Sequence, residues 1–402
     1  MTFAMLALIC LIALVGPLVA LPRRVGVPVV IGEIAVGIAF GATGTGWVDA
    51  GDETFKFLAD IGFALVLFFA GTNVPIHSDR MREGLWRGAG RAALVGLLAV
   101  PAGIGVNSLF GGEHALLYSV LIASSSASVV LPVLGETEVR NRKGMEMLVQ
   151  IAIADAVCII ALPLVLIPDE TGRAALGVVA VLVTAVVFWF VLRLADRRGW
   201  DRRIHEVSKE RDLALELRFT LMLLFTIASV AAFLEVSIML AGFALGIAVS
   251  SVGQSRRVDH QVFAMTEGFF GPVFYVWLGA SVNLRELADE PQQVLLGLAI
   301  GVAAVLLRGA AALTGLPVPM ATATAAQLGV PIGAVALGSE AGVLDPGESA
   351  GILLGAMVTL LVVTLVSRPL KHAVAQPDDG DAGSDRRATG ADAERAEPDA
   401  SA

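Results

Sequence analysis

Long apolar segments, separated by short polar ones, occupy most of the 402-residue chain. A helix needs about 20 largely apolar residues to cross the hydrocarbon core of a bilayer. By this measure the sequence predicts about thirteen membrane spans, which lie at residues 3–21, 27–42, 56–73, 86–108, 114–135, 144–167, 173–194, 213–233, 236–252, 262–282, 292–313, 317–342 and 348–370. We therefore expect an all-α polytopic membrane protein.

The basic residues alternate between the two sides of the predicted membrane. If the N-terminus is outside, the predicted cytoplasmic connections hold 20 lysine and arginine residues, and the external ones hold 3. This asymmetry agrees with the positive-inside rule. Arg23 and Arg24 follow the first apolar run, so we interpret that run as a span and not as a signal peptide. The sequence predicts a multi-pass protein of the cell (inner) membrane with a cytoplasmic C-terminus.

Composition excludes several classes of protein. Hydrophobic residues make up 56% of the chain and charged residues 16%, against about 25% charged in soluble domains. A soluble enzyme is therefore not expected. An isoelectric point of about 5.1 and the lack of a basic face exclude nucleic acid as a partner. Residues 377–402 hold eight acidic and three basic residues, and we expect a disordered acidic tail over 372–402.

The sequence contains no sign of a resident cofactor. It has no P-loop motif, and no connection between spans is long enough for an ATPase domain, so an ion gradient must drive any transport. Its five histidines and two cysteines stand singly, without the spacing of a transition-metal site. The species bound would be the transported ions themselves.

Asp155 is the deepest charged residue, near the middle of the run MLVQIAIADAVCIIALPLVL. Charged groups at this depth are costly to bury and mark candidate functional sites. Burial disfavours the charged carboxylate, whereas a bound cation favours it. One carboxylate can then hold a proton or a metal ion, here Na⁺ or K⁺, but not both, and this competition is sufficient for exchange.

Two spans carry polar interruptions. The fifth contains Ser124, Ser125, Ser126 and Ser128 ahead of a proline, and this pattern favours a helix that unwinds at mid-depth. Ordinary packing of small residues is the alternative interpretation. Hydroxyls and freed carbonyls in such a segment could complete the coordination of a cation beside Asp155.

The twelfth span has a similar pattern of polar residues within an apolar run, and these residues include Thr324 and Gln327. Because the two interrupted spans are seven apart, they cross the membrane in opposite directions. Interrupted segments at matching positions of inverted halves are typical of the binding sites of secondary transporters. The sequence thus predicts two inverted repeats, formed by spans 4–6 and 11–13.

Other charged residues in apolar segments are weaker candidates. Arg308 either snorkels to the cytoplasmic face or serves as a fixed cation that faces the interrupted span and neutralises helix C-terminal ends or Asp155. Glu33 and Glu340 lie nearer the ends of their spans, and we regard them as secondary candidates for ion contact.

Four segments carry a resemblance to a known family. They are RRVGVPVVIGEIAVGIAFG, LADIGFALVLFFAGTNV, SSSASVVLPVL and GFFGPVFYVWLGASVNL. Over about residues 20–370 the chain resembles the monovalent cation:proton antiporters, in the branch that includes bacterial sodium/proton exchangers and potassium efflux proteins. Ser125 and Ser126 stand where that family usually has a Thr-Ser pair.

The resemblance implies a fold, a site and an assembly. Asp155 matches the family's essential carboxylate, and Arg308 matches its conserved basic residue. The position before the carboxylate is usually Asp, Asn or Gln, but here it is Ala154. With a single carboxylate, electroneutral exchange of one proton per cation is the simpler expectation.

The implied domain organisation is a transmembrane antiporter domain over residues 1–371. In it, a core (about 86–167 and 292–370) moves against a dimerisation scaffold (about 1–73 and 173–282). The resemblance implies a homodimer in the lipid bilayer.

Two other functions remain open from the sequence. An ion-coupled carrier of a small organic solute could use the same fold, although only 2 tyrosines and 5 tryptophans are available to line its site. An intramembrane protease would need a Ser–His pair or a second deep acid, and the histidines are peripheral. Exchange of Na⁺ or K⁺ for protons by alternating access is the leading hypothesis.

Overall fold

A computed structural model describes residues 2–20, 29–72, 79–134, 137, 139, 141–166, 171–198, 213–234, 238–252, 256–282, 285, 287 and 290–376. These ranges contain helices and connecting turns, and no strand. The helices are α1 (Phe3–Ala20), α2 (Val29–Phe40), α3 (Glu53–Thr72), α4 (Asp79–Phe110), α5 (Ala115–Ala123), α6 (Ala127–Leu134), α7 (Arg142–Leu166), α8 (Thr171–Arg197), α9 (Leu215–Phe233), α10 (Ile238–Ser250), α11 (Arg256–Met265), α12 (Gly271–Ser281), α13 (Pro291–Ala310), α14 (Val318–Ala323), α15 (Gly329–Glu340) and α16 (Pro346–Ala375).

The predicted all-α membrane fold is confirmed. Within the described residues, eight helices are long and apolar enough to cross a bilayer, and five shorter apolar helices accompany them. Together they follow the order of the thirteen predicted spans. Two predicted spans are each divided between two helices: the fifth forms α5 and α6, and the twelfth forms α14 and α15.

The helix that forms the last predicted span, 348–370, is longer than expected. α16 continues to Ala375, so residues 372–375 are helical and not part of a tail. The side-chain amide of Asn141 donates to the carbonyls of Ala373 and Gln376 at 2.6 and 2.8 Å, which holds this last turn against the start of α7. The rest of the predicted tail, 377–402, lies outside the described residues.

Two groups of helices share one arrangement. In the first, the long helices α4 and α7 accompany the broken pair α5 and α6. In the second, the long helices α13 and α16 accompany the broken pair α14 and α15. α4 packs on α5 and α7, α13 packs on α16, and α4 also packs on α13. We call these sets the first and second helix groups, and they correspond to the predicted repeats.

The remaining helices pack through close backbone contacts. α3 packs on α10, and α2 packs on α12. Where α3 and α10 cross, Gly71 and Gly246 face each other, and a side chain on Gly246 would overlap the carbonyl oxygen of Phe68. This separation admits only glycine, as at other helix crossings where small residues let backbones approach.

We expect Gly246→Val to destabilise the protein, because the added methyl groups would force α3 and α10 apart. Overpacking of this kind costs about 1–3 kcal/mol. The measurement is the thermal unfolding midpoint of the full-length protein in detergent. Gly90→Ala is the matched control, since a Cβ at Gly90 meets no atom within 4 Å. Equal midpoints for the two variants would contradict the prediction.

Candidate ion-binding site

The fifth span is broken at its serine cluster. α5 ends at Ala123, α6 begins at Ala127, and Ser124 has an extended backbone with φ −69° and ψ 150°. The Ser124 hydroxyl donates to the carbonyl of Leu121 at 2.8 Å. Serine side chains compete in this way with helical hydrogen bonding. The predicted unwinding is therefore present, and it exposes carbonyls at the end of α5 and amides at the start of α6.

Asp155 lies at the amide end of this break. Its side chain is on α7 and is only 2% exposed. The Oδ2 atom accepts the N–H of Ala127, at the start of α6, at 3.2 Å. The positive end of a helix dipole favours a negative group in this position. The Oδ1 atom has no hydrogen-bond partner among the described residues, so half of this buried carboxylate is unused.

Arg308 lies at the carbonyl end of the same break. It is on α13, is 0% exposed, and donates from Nη1 to Ile122 O at 2.9 Å and from Nη2 to Ala123 O at 2.5 Å. The guanidinium thus caps the negative end of α5. Its burial and these two bonds favour the interpretation as a fixed cation at a helix C-terminus over snorkelling.

The second break contacts the first. α14 ends at Ala323 and α15 begins at Gly329. The hydroxyl of Ser125 donates to the carbonyl of Thr324 at 2.7 Å, which joins the two unwound segments directly. The side-chain amide of Gln327 donates to Leu121 O at 2.6 Å, and its Oε1 has no partner among the described residues. Carbonyls freed in one break are therefore satisfied by side chains of the other.

The structure brings most of the predicted residues together. Ser125, Thr324, Gln327, Arg308 and Asp155 all bond to one or both of the two broken segments. The hydroxyls of Ser126 and Ser128, beside them in sequence, are 2.8 Å apart.

Three weaker candidates do not join this cluster. Ala154 is buried beside Asp155 but has no polar side-chain atom. Glu33 is buried on α2, which packs on α1 and α12 rather than on the broken helices. Glu340 ends α15, and its side chain lies outside those described.

Sequence reasoning missed Thr359 on α16. Its hydroxyl is fully buried, accepts the N–H of Gln327 at 3.2 Å, and donates to the carbonyl of Ala356 at 2.7 Å. It therefore supports the second break from α16. A single threonine in a long apolar helix gives no signal in the sequence, because its partner is distant along the chain.

We expect Arg308→Met to lower the thermal unfolding midpoint more than Arg308→Lys. Methionine leaves the carbonyls of Ile122 and Ala123 without a donor, and each buried unsatisfied group costs about 1–3 kcal/mol. Lysine keeps the charge and one point of donation. Lys56→Gln, at an exposed position on α3, serves as the control for loss of a positive charge. If the methionine variant unfolds at the wild-type temperature, Arg308 does not stabilise the break.

Comparison with known proteins agrees with this architecture. The family model described as the transmembrane sodium/hydrogen exchanger matches residues 10–371. A solved structure of the sodium proton antiporter MjNhaP1 from Methanocaldococcus jannaschii superposes with a TM-score of 0.64 at 16% identity. The match covers 93% of this chain and 98% of that one. At this identity the superposition establishes a shared fold.

Curated relatives are similar at low identity. The Na⁺/H⁺ antiporter of Enterococcus hirae is 23% identical over 295 residues, which cover 71% of this chain and 75% of that protein. The Na⁺/H⁺-K⁺ antiporter GerN of Bacillus cereus is 25% identical over 288 residues, which cover 70% and 72%. YjbQ of Bacillus subtilis is 23% identical over 303 residues, and the alignment covers 71% of this chain but 48% of that longer protein.

Proposed function

Since the chain belongs to the sodium/hydrogen exchanger family, we propose that it exchanges a monovalent cation, Na⁺ or K⁺, for protons across a membrane by alternating access. The observation that carries the proposal is the unused Oδ1 of the buried Asp155 beside two helix breaks that contact each other. Inclusion of K⁺ rests on the name of GerN, which is a Na⁺/H⁺-K⁺ antiporter.

Asp155 would hold the cation and the proton in turn. Its Oδ2 is held by the Ala127 amide, and its Oδ1 is available to a ligand. Oxygen donors near the breaks could complete the shell of a partly dehydrated cation, and hard oxygen ligands suit such ions. We assign these roles to the hydroxyls of Ser125, Ser126 and Ser128, with contributions from Thr324 and Gln327.

Arg308 would act as a supporting charge. Because its guanidinium is bonded to the carbonyl end of α5, it stabilises the break without occupying the unused side of Asp155. Its bonds join α13 of the second helix group to α5 of the first. In this proposal the two groups move together as a core, about residues 86–167 and 292–370, against a scaffold of about 1–73 and 173–282.

The proposed exchange is electroneutral. Within the described ranges, Asp155 is the carboxylate that we find bonded to the break, and the preceding residue is Ala154. One carboxylate can release one proton for each monovalent cation that it binds. We also propose a homodimer in the cell membrane, with the N-terminus outside and the C-terminus cytoplasmic.

The first experiment measures exchange in proteoliposomes that contain a pH-sensitive dye and carry an imposed proton gradient. Na⁺, K⁺ and Li⁺ are added in turn. We expect at least one of these cations to dissipate the gradient, and we expect Asp155→Asn to reduce that signal to the level of empty vesicles, because an amide cannot exchange a proton for a cation. Glu53→Gln, which neutralises an exposed carboxylate on α3, should retain wild-type exchange.

Two outcomes would overturn parts of this proposal. If correctly inserted protein responds to no cation, exchange is wrong, and an ion-coupled carrier of an organic solute becomes the better explanation. If Asp155→Asn retains exchange, the family assignment stands but the site lies elsewhere.

Electroneutrality has its own measurement. We expect the exchange rate to be unchanged when a membrane potential is imposed with a permeant ion that the protein does not transport. One proton for one monovalent cation moves no net charge, so the potential does no work on the cycle. A rate that rises or falls with the sign of the potential would show that net charge moves and that the exchange is not one proton for one cation.

A further inference from the structure

Two buried carboxylates occupy matching places in the two helix groups, outside the proposed ion site. Glu146 is the fifth residue of α7, and Glu348 is the third residue of α16. Each helix is the last of its group, and each carboxylate is buried near the start of that helix. Because the groups are inverted, the two carboxylates lie at opposite faces of the predicted membrane.

Glu146 is connected through Arg91 to the segment that leads into the second break, and we call this set of bonds the Arg91 tie. Its Oε2 accepts Arg91 Nη1 at 2.6 Å. The same guanidinium donates from Nε to Thr314 Oγ1 at 2.8 Å and from Nη2 to Thr314 O at 3.3 Å. Thr314 ends the short turn between α13 and α14. Arg87 and Arg142 also approach Oε1, at 3.6 and 3.2 Å.

Glu348 bonds to the segment that leads into the first break, and we call these bonds the Glu348 tie. Its Oε1 lies 2.9 Å from His114 Nδ1 and accepts the hydroxyl of Tyr118 at 2.7 Å. His114 is the residue before α5, and Tyr118 is in the first turn of that helix. Glu348 therefore contacts the start of the other group's broken helix directly, whereas Glu146 acts through Arg91 on Thr314, four residues before α14 begins.

We propose that Glu146 and Glu348 are equivalent positioning residues, each of which fixes where the broken helix of the opposite group begins, and that only the Glu348 tie responds to pH. The two carboxylates differ in the basic side chain that each one meets. Glu146 meets an arginine, whose guanidinium is a permanent cation in proteins. His114 carries charge only when protonated, and histidine titrates near neutrality.

The surroundings of His114 set the direction of the response. The bond to Glu348 raises the pKa of His114, burial opposes this, and the nearby charges of Glu113 and Asp345 raise it further. Tyr118 shares the Glu348 oxygen and supplies no charge. The tie is therefore strongest below the raised pKa of His114 and weakens as the pH rises through it.

Amide hydrogen exchange of the full-length protein tests this inference without a transport assay. At pH 6, we expect His114→Gln to speed exchange in peptides covering residues 113–123 by about fivefold relative to wild type, since a charge-assisted bond is lost. At pH 9 the difference between the two proteins should be smaller, because less of wild-type His114 is then protonated. Each ratio is taken at a single pH, which removes the intrinsic pH dependence of exchange.

The Arg91 tie supplies the contrasting measurement. Glu146→Gln should speed exchange in peptides covering 311–323 by a similar factor at both pH values. If that variant does not fold, Thr314→Val removes one acceptor of Arg91 and leaves the carboxylate in place. Glu113→Gln is the matched control near His114, since Glu113 is exposed and acts on His114 through charge alone. It should change exchange by less than about twofold.

The outcomes separate the inference from the proposed function. Equal acceleration by His114→Gln at pH 6 and pH 9, or none at pH 6, would show that the Glu348 tie does not respond to protonation. If Glu146→Gln speeds hydrogen exchange in peptides covering 311–323 at pH 6 but not at pH 9, the Arg91 tie is not permanent. These results stand whether or not the protein exchanges cations, because no step of the measurement depends on transport.

Discussion

The break in the fifth span is held by opposite charges at its two ends, and the arrangement of the core depends on this. Non-helical backbone inside a bilayer must find its hydrogen-bond partners within the protein. Arg308 and Gln327 satisfy the carbonyl end of α5, and Asp155 satisfies the first amide of α6. These side chains come from α13, α7 and the second break, so both helix groups supply the hydrogen-bond partners of the unwound segment.

The same constraint relates stability to the proposed chemistry. Asp155 uses Oδ2 to hold Ala127 and leaves Oδ1 without a partner in the described part of the chain. A buried polar atom without a partner is costly, so an ion or a proton at Oδ1 would relieve that cost. The Ser125 bond to Thr324 makes the two breaks one unit. A ligand bound at one break would therefore be connected to the other break through this hydrogen bond.

Two further sets of side-chain bonds join the helix groups at the ends of the core, away from the proposed site. Glu146 with Arg91 and Glu348 with His114 each connect one helix group to the start of the other group's broken helix. The first break is therefore bounded by Arg308 and Asp155, and the segments that lead into α5 and α14 are held by these two sets of contacts. In our proposal, pairing one carboxylate with arginine and the other with histidine gives the two faces different sensitivity to pH.

Apolar length and polar interruptions were enough to predict the thirteen spans and the unwinding at Ser124–Ser126, because both depend on residues close together in sequence. The partners of those residues were decided by tertiary packing. Arg308 meets the carbonyls of Ile122 and Ala123 across 186 and 185 positions, and no local pattern encodes a contact at that separation. The same holds for Thr359, an ordinary helical residue until α16 packs against the second break.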